Sequence, residues 1–258
     1  MSVRTPPRLS IIIPAYNEAR RLPRTLERLH AYLAEQPYSW EIIVVSNASQ
    51  DETEEIVRAY AHKIPGLQLI ALTGRGKGLA VRAGAIRSWG DVVFICDADL
   101  SMPPESLGRF MEHIENADVV VGSREAPGAR RYDEPVRRHL MGRVFNYLVR
   151  VLAVRGIADT QCGFKAFRRQ AANHLFGQQF LTGFGFDVEL LFLAQKFGYR
   201  MTEIPIDWYF DADSRVRPGA DTLNMVTEVL MVRLRDLLRR YQPPKVAPDA
   251  PAPGRRGR

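Results

Sequence analysis

Five short apolar runs punctuate the first half of this chain, and each ends in a loop of polar residues or glycine. They are "LSIII" (9–13), "EIIVVS" (41–46), "LQLIAL" (67–72), "DVVFICD" (91–97) and "ADVVVGS" (117–123). Helical patterns fill the gaps. Leu22, Leu26, Leu29 and Leu33 recur at helical spacing within 19–35. Residues 50–63 open on acids, 76–89 on glycines and 103–114 on prolines. Strands that are apolar throughout, rather than alternating, need cover on both faces. The pattern therefore predicts an α/β fold, a mainly parallel sheet flanked by helices. In such sheets ligands bind beyond the carboxyl ends of the strands. Four polar loops fall there: "PAYNE" after the first strand, "NASQD" after the second, "TGRGKG" after the third and "DADLS" after the fourth.

The second half is less regular. Residues 134–156 read as a helix with an apolar stripe of Val136, Leu140, Val144, Leu148 and Val151 among five arginines. Residues 158–169 read as an extended segment with a turn, 185–198 as a helix, 199–210 as a strand and 221–241 as a basic amphipathic helix. One domain over 9–241 is expected, with residues 1–8 and the Pro-, Ala- and Arg-rich 242–258 disordered. The formal charge of +7 points to anionic partners: nucleotides, nucleic acid or lipid surfaces. Two cysteines give neither a disulfide framework nor zinc spacing, and a buried Cys96 suits a reducing compartment. No run of about 18 apolar residues is present, and the N-terminus lacks the apolar core of a signal peptide.

Asp97 and Asp99 carry the sharpest chemical signal. A D-x-D at a strand end is often only a turn, since Asp side chains bond nearby backbone. Two carboxylates with open positions also suit Mg²⁺ or Mn²⁺ holding a diphosphate. The gathering of Asp, Asn, Lys and Gly at one sheet edge favours the metal. Gly76, Lys77 and Gly78 read as a phosphate-facing loop, with Lys77 and Arg82 supplying charge, although a Gly-rich loop alone is weak evidence.

The segments "SIIIPAYNEARRLPRTL", "GKGLAVRAG", "DADLS.P", "GSR", "DTQCGFKAF" and "GFDVELL" occur in the order seen in family 2 glycosyltransferases of the GT-A fold. The chain resembles the dolichyl-phosphate glucosyltransferases and mannosyltransferases over roughly residues 9–235, with the glucosyltransferase branch the better likeness. The resemblance implies an inverting enzyme that moves a hexose, glucose first, from a nucleotide sugar (UDP-glucose or GDP-mannose) to a polyprenyl phosphate. An anionic phosphate acceptor needs no strong general base, so positioning and stabilisation of the departing diphosphate carry the reaction. The Gln-x-x-Arg-Trp motif of many relatives with hydroxyl acceptors is missing, which fits a phosphate acceptor.

The same resemblance implies roles for single residues. Asp99 directly, and Asp97 at one remove, would hold the metal, with Ala98 between them in the donor site. Pro14, Ala15, Tyr16, Asn17 and Glu18 lie where the nucleotide loop lies, and Glu18 could equally serve only as a helix-start acid. Arg124, Arg131 and Arg138 are candidates for the acceptor phosphate, which suits forked donors, against a solvated basic loop. Asp159 would orient sugar or acceptor, with Gln161 and Lys165 as weaker candidates. Asp187 would face the sugar, while Glu189, two residues on, cannot share its helical face. Arg215, with Ser214 and Arg217, lies where relatives carry a loop covering the diphosphate.

One departure stands out: relatives read Asp-Asp-Gly-Ser after the second strand, and this chain reads Ser46-Asn47-Ala48-Ser49. Ser46 or Asn47 could still bond a base, but base and sugar are left open. The two helices at 134–156 and 221–241 could lie in a headgroup layer or pack on the core, and either could seat a second copy in a homodimer. A peripheral enzyme on the cytoplasmic membrane face is expected. The alternatives are a transferase with a non-lipid acceptor, a nucleic-acid binder and a degenerate nucleotide-sugar-binding scaffold. Charge alone suggests the nucleic-acid binder, and it explains neither D-x-D nor the ordered loops.

Overall fold

The computed structural model describes residues 5–211 and 220–245. A seven-stranded sheet runs through the centre in the order β3-β2-β1-β4-β7-β5-β8. Its strands are β1 (Leu9–Ala15), β2 (Trp40–Asn47), β3 (Leu67–Leu72), β4 (Val92–Ile95), β5 (Val119–Ser123), β7 (Lys165–Arg168) and β8 (Met201–Pro205). All pair in parallel except β7, which runs antiparallel to both β4 and β5. A separate two-stranded parallel sheet joins β6 (Arg130–Tyr132) to β9 (Asp207–Tyr209).

The near-continuous apolar strands are explained by two cores. Ile12, Ile43, Val45, Val93 and Ile95 point to one face, covered by α3 (Lys77–Arg87), α6 (Arg169–Gln178), α7 (Phe186–Lys196) and α8 (Ala220–Leu237). Their strand neighbours Ile11, Ile13, Ile42, Val44 and Phe94 point to the other, covered by α1 (Leu22–Ala34), α2 (Thr53–Ala61) and α4 (Leu107–His113). Side chains alternate along a strand, so both members of each adjacent pair must be apolar. The contact between α3 and β1 is close: a Cβ on Gly84 would sit 2.4 Å from Ile12 Cγ2.

Three elements differ from the sequence expectation. The extended segment at 158–169 ends in a true strand, inserted between β4 and β5 and reversed. Residues 199–210 form two strands in two sheets, with Ile206 at the junction: its N–H is donated to Ser123 O on β5 and its carbonyl accepts the Arg130 N–H at the start of β6. Helix α6 has no counterpart in the expected elements; its buried residues Ala171, Ala172, Leu175 and Phe176 do recur at helical spacing, but over little more than one turn.

Helix α5 (Val136–Leu152) buries Asn146 and Val149 and exposes Tyr147 and Val151. Helix α8 packs through Met225, Val229 and Val232, and Leu230, Met231, Leu234 and Leu237 stand exposed on its other side, continued by Leu238. No helix among the described residues is long and apolar enough to cross a membrane.

Candidate active site

The loops that follow β1, β2, β4 and β5 open on the same sheet edge. Because β7 is reversed, its leading segment, which includes Gly163, reaches that edge too. A reversed strand is what lets "DTQCGFK" face "DAD" although the two are more than sixty positions apart.

Asp97 and Asp99 lie just past β4. Ala98 between them is buried, and its carbonyl accepts the Thr25 hydroxyl at 2.6 Å. Asp99 Oδ1 accepts the Ser101 N–H at 2.9 Å. Burial, and then the Asp97 charge, push the Asp99 carboxyl above its ordinary range. Asp97 Oδ1 meets the Lys77 ammonium at 2.7 Å. Its other oxygen lies against Gly163, where a Cβ would come within 2.1 Å of Oδ2. Only glycine leaves room for that carboxylate.

Lys77 is placed by the end of β2. Asn47 Oδ1 accepts the Gly76 N–H at 2.8 Å, and Gly76 adopts φ 149°, open to glycine, before α3 begins. Gly78 lies under Leu181 and Phe186, so the loop before α7 seals the start of α3. Burial opposes the Lys77 charge, but Asp97 and then Asp187 outweigh it and hold the ammonium well above its usual range. Asp187, nearly enclosed at the start of α7, accepts the Lys165 ammonium at 2.6 Å. Burial raises the Asp187 carboxyl; Lys165 and Lys77 restrain the rise. Lys165 itself is fully buried and also bonds the Cys162 carbonyl. Glu189 points elsewhere, accepting the Phe180 and Leu181 N–H groups and the Tyr241 hydroxyl.

A second cluster follows β5. Asp159 is fully buried and holds Arg124 by two side-chain bonds, 2.7 Å from Nε and 2.9 Å from Nη2, with the Arg124 N–H at 3.0 Å. Burial alone would raise this carboxyl; the guanidinium outweighs it and holds Asp159 well below the usual carboxylate range. Arg131 bridges Glu125 and Glu134, each at 2.5 Å. The guanidinium carbons of Arg124 and Arg131 lie 5.3 Å and 5.9 Å from the Trp208 ring centre. Both arginines thus stand together, each already paired with acid, and the polar contacts of the Asp159 carboxylate include the Arg124 guanidinium. Gln161 lies against Met225 on α8. Arg215, Ser214 and Arg217 lie outside the described residues, and so does the Arg138 side chain.

The nucleotide-loop residues take up defined places. Pro14 and Ala15 end β1. Asn17 Oδ1 accepts the Gln50 N–H at 2.7 Å, tying the first loop to the second. Glu18 receives two bonds from Arg21, each 2.7 Å, and Arg21 also reaches Asp211. Tyr16 carries the Arg75 guanidinium 4.1 Å from its ring centre. Ser46 is fully buried and donates to Glu54 at 2.8 Å. Arg82 donates to the Phe176 carbonyl. Sequence reading missed Arg75, Glu54, Gly163 and Trp208. Gly163 had a signal in the motif "CGFK" and Arg75 lies within the loop "TGRGKG"; Glu54 and Trp208 sit outside any motif.

Among the described residues no group of three or more His, Cys, Asp or Glu side chains gathers to hold a metal. The carboxylates that could hold a cation at this edge are the neighbouring Asp97 and Asp99. Hard oxygen donors, and an Asp99 carboxyl pushed upward by its neighbour's charge, fit a divalent cation whose remaining ligands come from elsewhere.

Comparison with known proteins agrees with this geometry. The sequence model of the family described as "Glycosyl transferase family 2" matches residues 10–176. A dolichyl-phosphate beta-glucosyltransferase of Trichomonas vaginalis is 37% identical over 221 residues, covering 81% of this chain and 66% of the relative. The human dolichyl-phosphate beta-glucosyltransferase is 34% identical over 249 residues, covering 89% and 76%. The chain thus spans two thirds to three quarters of the length of these relatives. Among solved structures, glucosyl-3-phosphoglycerate synthase from Mycobacterium tuberculosis, in complex with Mn²⁺, UDP and glucosyl-3-phosphoglycerate, superposes with a TM-score of 0.66 at 18% identity, covering 88% of this chain and 80% of that one. A mannosyltransferase from Pyrobaculum calidifontis with GDP-Man and Mn²⁺ gives 0.60 at 24% identity, covering 93% and 66%. Both share the fold.

Proposed function

This chain belongs to glycosyl transferase family 2, and from that premise we propose that it moves glucose from a nucleotide-diphosphate sugar to the phosphate of dolichol or a related polyprenol, inverting the anomeric carbon. The observation that carries this reading is the naming of relatives. Proteins 31–37% identical over 78–89% of this chain are named for one sugar and one acceptor.

The chemistry suits the residues. An acceptor phosphate oxygen attacks the anomeric carbon as the bond to the nucleoside diphosphate breaks. Asp97 and Asp99 would hold a divalent ion, Mg²⁺ or Mn²⁺, which when bound offsets the charge of the departing diphosphate. Lys77 supplies a second positive charge beside them. Asp187, oriented by Lys165, lies next to Lys77 where the sugar would meet the protein. Arg124 is fixed by Asp159 through Nε and Nη2, so its Nη1 edge is the one offered to an acceptor phosphate. Arg131 and Trp208 complete that side.

The acceptor brings the enzyme to a bilayer. The exposed leucines of α8, with Arg233, Arg239 and Arg240 on or just past the helix, suit a headgroup layer, and α5 adds Tyr147 and Val151. We place the enzyme on the cytoplasmic face, where nucleotide sugars are supplied. Mannose from GDP-mannose is the second donor reading, since the resemblance extends to mannosyltransferases and Ser46 and Asn47 leave the base open.

The test is transfer of label to dolichyl phosphate in detergent, with UDP-glucose and GDP-mannose supplied separately with Mg²⁺ or Mn²⁺. Lipid-soluble product from UDP-glucose, lost in Asp99→Ala, is expected. Product only from GDP-mannose would move the reading to the second donor. No lipid product from either would reject the acceptor.

A further inference from the structure

Lys77 is in an unusual position for a phosphate ligand. Its ammonium lies 2.7 Å from Asp97 Oδ1, on one of the carboxylates that would hold the metal. Asp187 and Asp99 also act on its charge. The surrounding cluster contains three carboxylates, Asp97, Asp99 and Asp187, and two ammonium groups, Lys77 and Lys165. One negative charge is in excess. A divalent ion arriving alone would meet a carboxylate already neutralised at contact distance, and would overshoot that single charge. The same ion arriving with an anionic diphosphate would not.

We propose that Lys77 makes metal binding conditional on the nucleotide: it disfavours the free cation and favours the cation together with the diphosphate. The proposal rests on the donor reading above. Three features keep Lys77 in this role. Asn47 anchors Gly76, and Leu181 and Phe186 close over Gly78, so the start of α3 cannot drift from the carboxylates. Gly163 backs Asp97, so its carboxylate has one free side, and Lys77 stands on it. Asp187, held by Lys165, gives the ammonium a second anion on which to rest when the cation takes its place at Asp97. Like charges a few ångströms apart in a partly enclosed site oppose each other strongly, and an added anion reverses the balance. A lysine that lay on the phosphates and away from Asp97 would leave the affinity for free metal unchanged.

The experiment measures Mn²⁺ binding by electron paramagnetic resonance, with and without UDP or GDP, on the full chain and on Lys77→Met and Lys77→Arg. Wild type is expected to bind Mn²⁺ weakly alone and much more tightly with nucleotide. Lys77→Met should bind free Mn²⁺ at least about tenfold more tightly than wild type, and the enhancement given by nucleotide should shrink by a similar factor. Lys77→Arg should keep the wild-type pattern. Equal free-Mn²⁺ affinity in wild type and Lys77→Met overturns the proposal and leaves the donor reading intact. If Lys77→Met does not melt cooperatively, the wild-type coupling decides: an enhancement by nucleotide below about threefold overturns the proposal. Wild type that binds neither nucleotide in Mn²⁺ overturns both the donor reading and the proposal.

Discussion

Gly163→Ala is the substitution that separates site geometry from fold. A Cβ there would stand 2.1 Å from Asp97 Oδ2 and 2.8 Å from its Cγ. An ordinary carbon–oxygen contact is about 3.3 Å, so the oxygen must retreat by about 1.2 Å. Gly163 is not among the residues of positive φ, so alanine meets no left-handed strain there. The clash is with the end of a side chain, which can swing, and not with backbone. The fold should survive, while Asp97 leaves its place and loosens its contact with Lys77. Misplacing a catalytic group by about 1 Å costs on the order of a hundredfold, or about 2.7 kcal/mol of transition-state stabilisation. The assay is kcat/KM for transfer to dolichyl phosphate beside a thermal melt. The expected result is a loss of about a hundredfold with Tm lowered by no more than about 4 °C, the shift that ~1 kcal/mol gives a domain of this size. Wild-type kcat/KM in a folded Gly163→Ala protein would refute the claim that the glycine exists to seat Asp97. A collapse in Tm would show instead that the position serves the sheet.

Three further outcomes are expected. Asp159→Asn leaves the enclosed Arg124 without its counter-charge and should destabilise the fold by about 3–5 kcal/mol, read by urea unfolding. In the wild type the Asp159 carboxyl lies below its unfolded range, so its stabilisation is present above about pH 4 and is lost as pH falls further; the Asn variant should lack that acid limb. Ser46→Asp, which introduces the acid that the family resemblance led one to expect, would bury a second carboxylate beside Glu54, whose side chain now accepts the Ser46 hydroxyl at 2.8 Å. It should lower stability by about 1–3 kcal/mol, and adding Glu54→Gln should recover most of the loss; an additive double variant would reject the pairing. Leu234→Glu with Leu237→Glu should abolish sedimentation with anionic vesicles without moving Tm, since both side chains are exposed; unchanged sedimentation would remove α8 from the membrane reading.

The parts of this molecule that were legible in its sequence are those where one physical signal dominates. The strands β1, β2, β4 and β5 are largely apolar on both faces, and the loops after them carry the polar residues, so most of the sheet and its polar edge follow from patterning alone. Strand β7 has four residues, two of them basic, and shows no period of its own. Its reversal could not be read either, because direction is set by how the chain returns to the sheet. Yet that reversal is what assembles the site. It brings Gly163 behind Asp97, Lys165 beneath Asp187 and Asp159 against Arg124, so one segment supports three charged groups that the sequence scatters along the chain. The departure at Ser46 has the same character. Read along the chain, a serine where the resemblance leads one to expect an acid looks like a loss. In the fold its hydroxyl donates to Glu54, one helix away and itself held by Arg58, so an acid stands beside the position all the same. Asn47, the other changed residue, anchors Gly76 and through it Lys77. Asn47 thus ties this loop to the cluster around Asp97, while Ser46 ties it to α2.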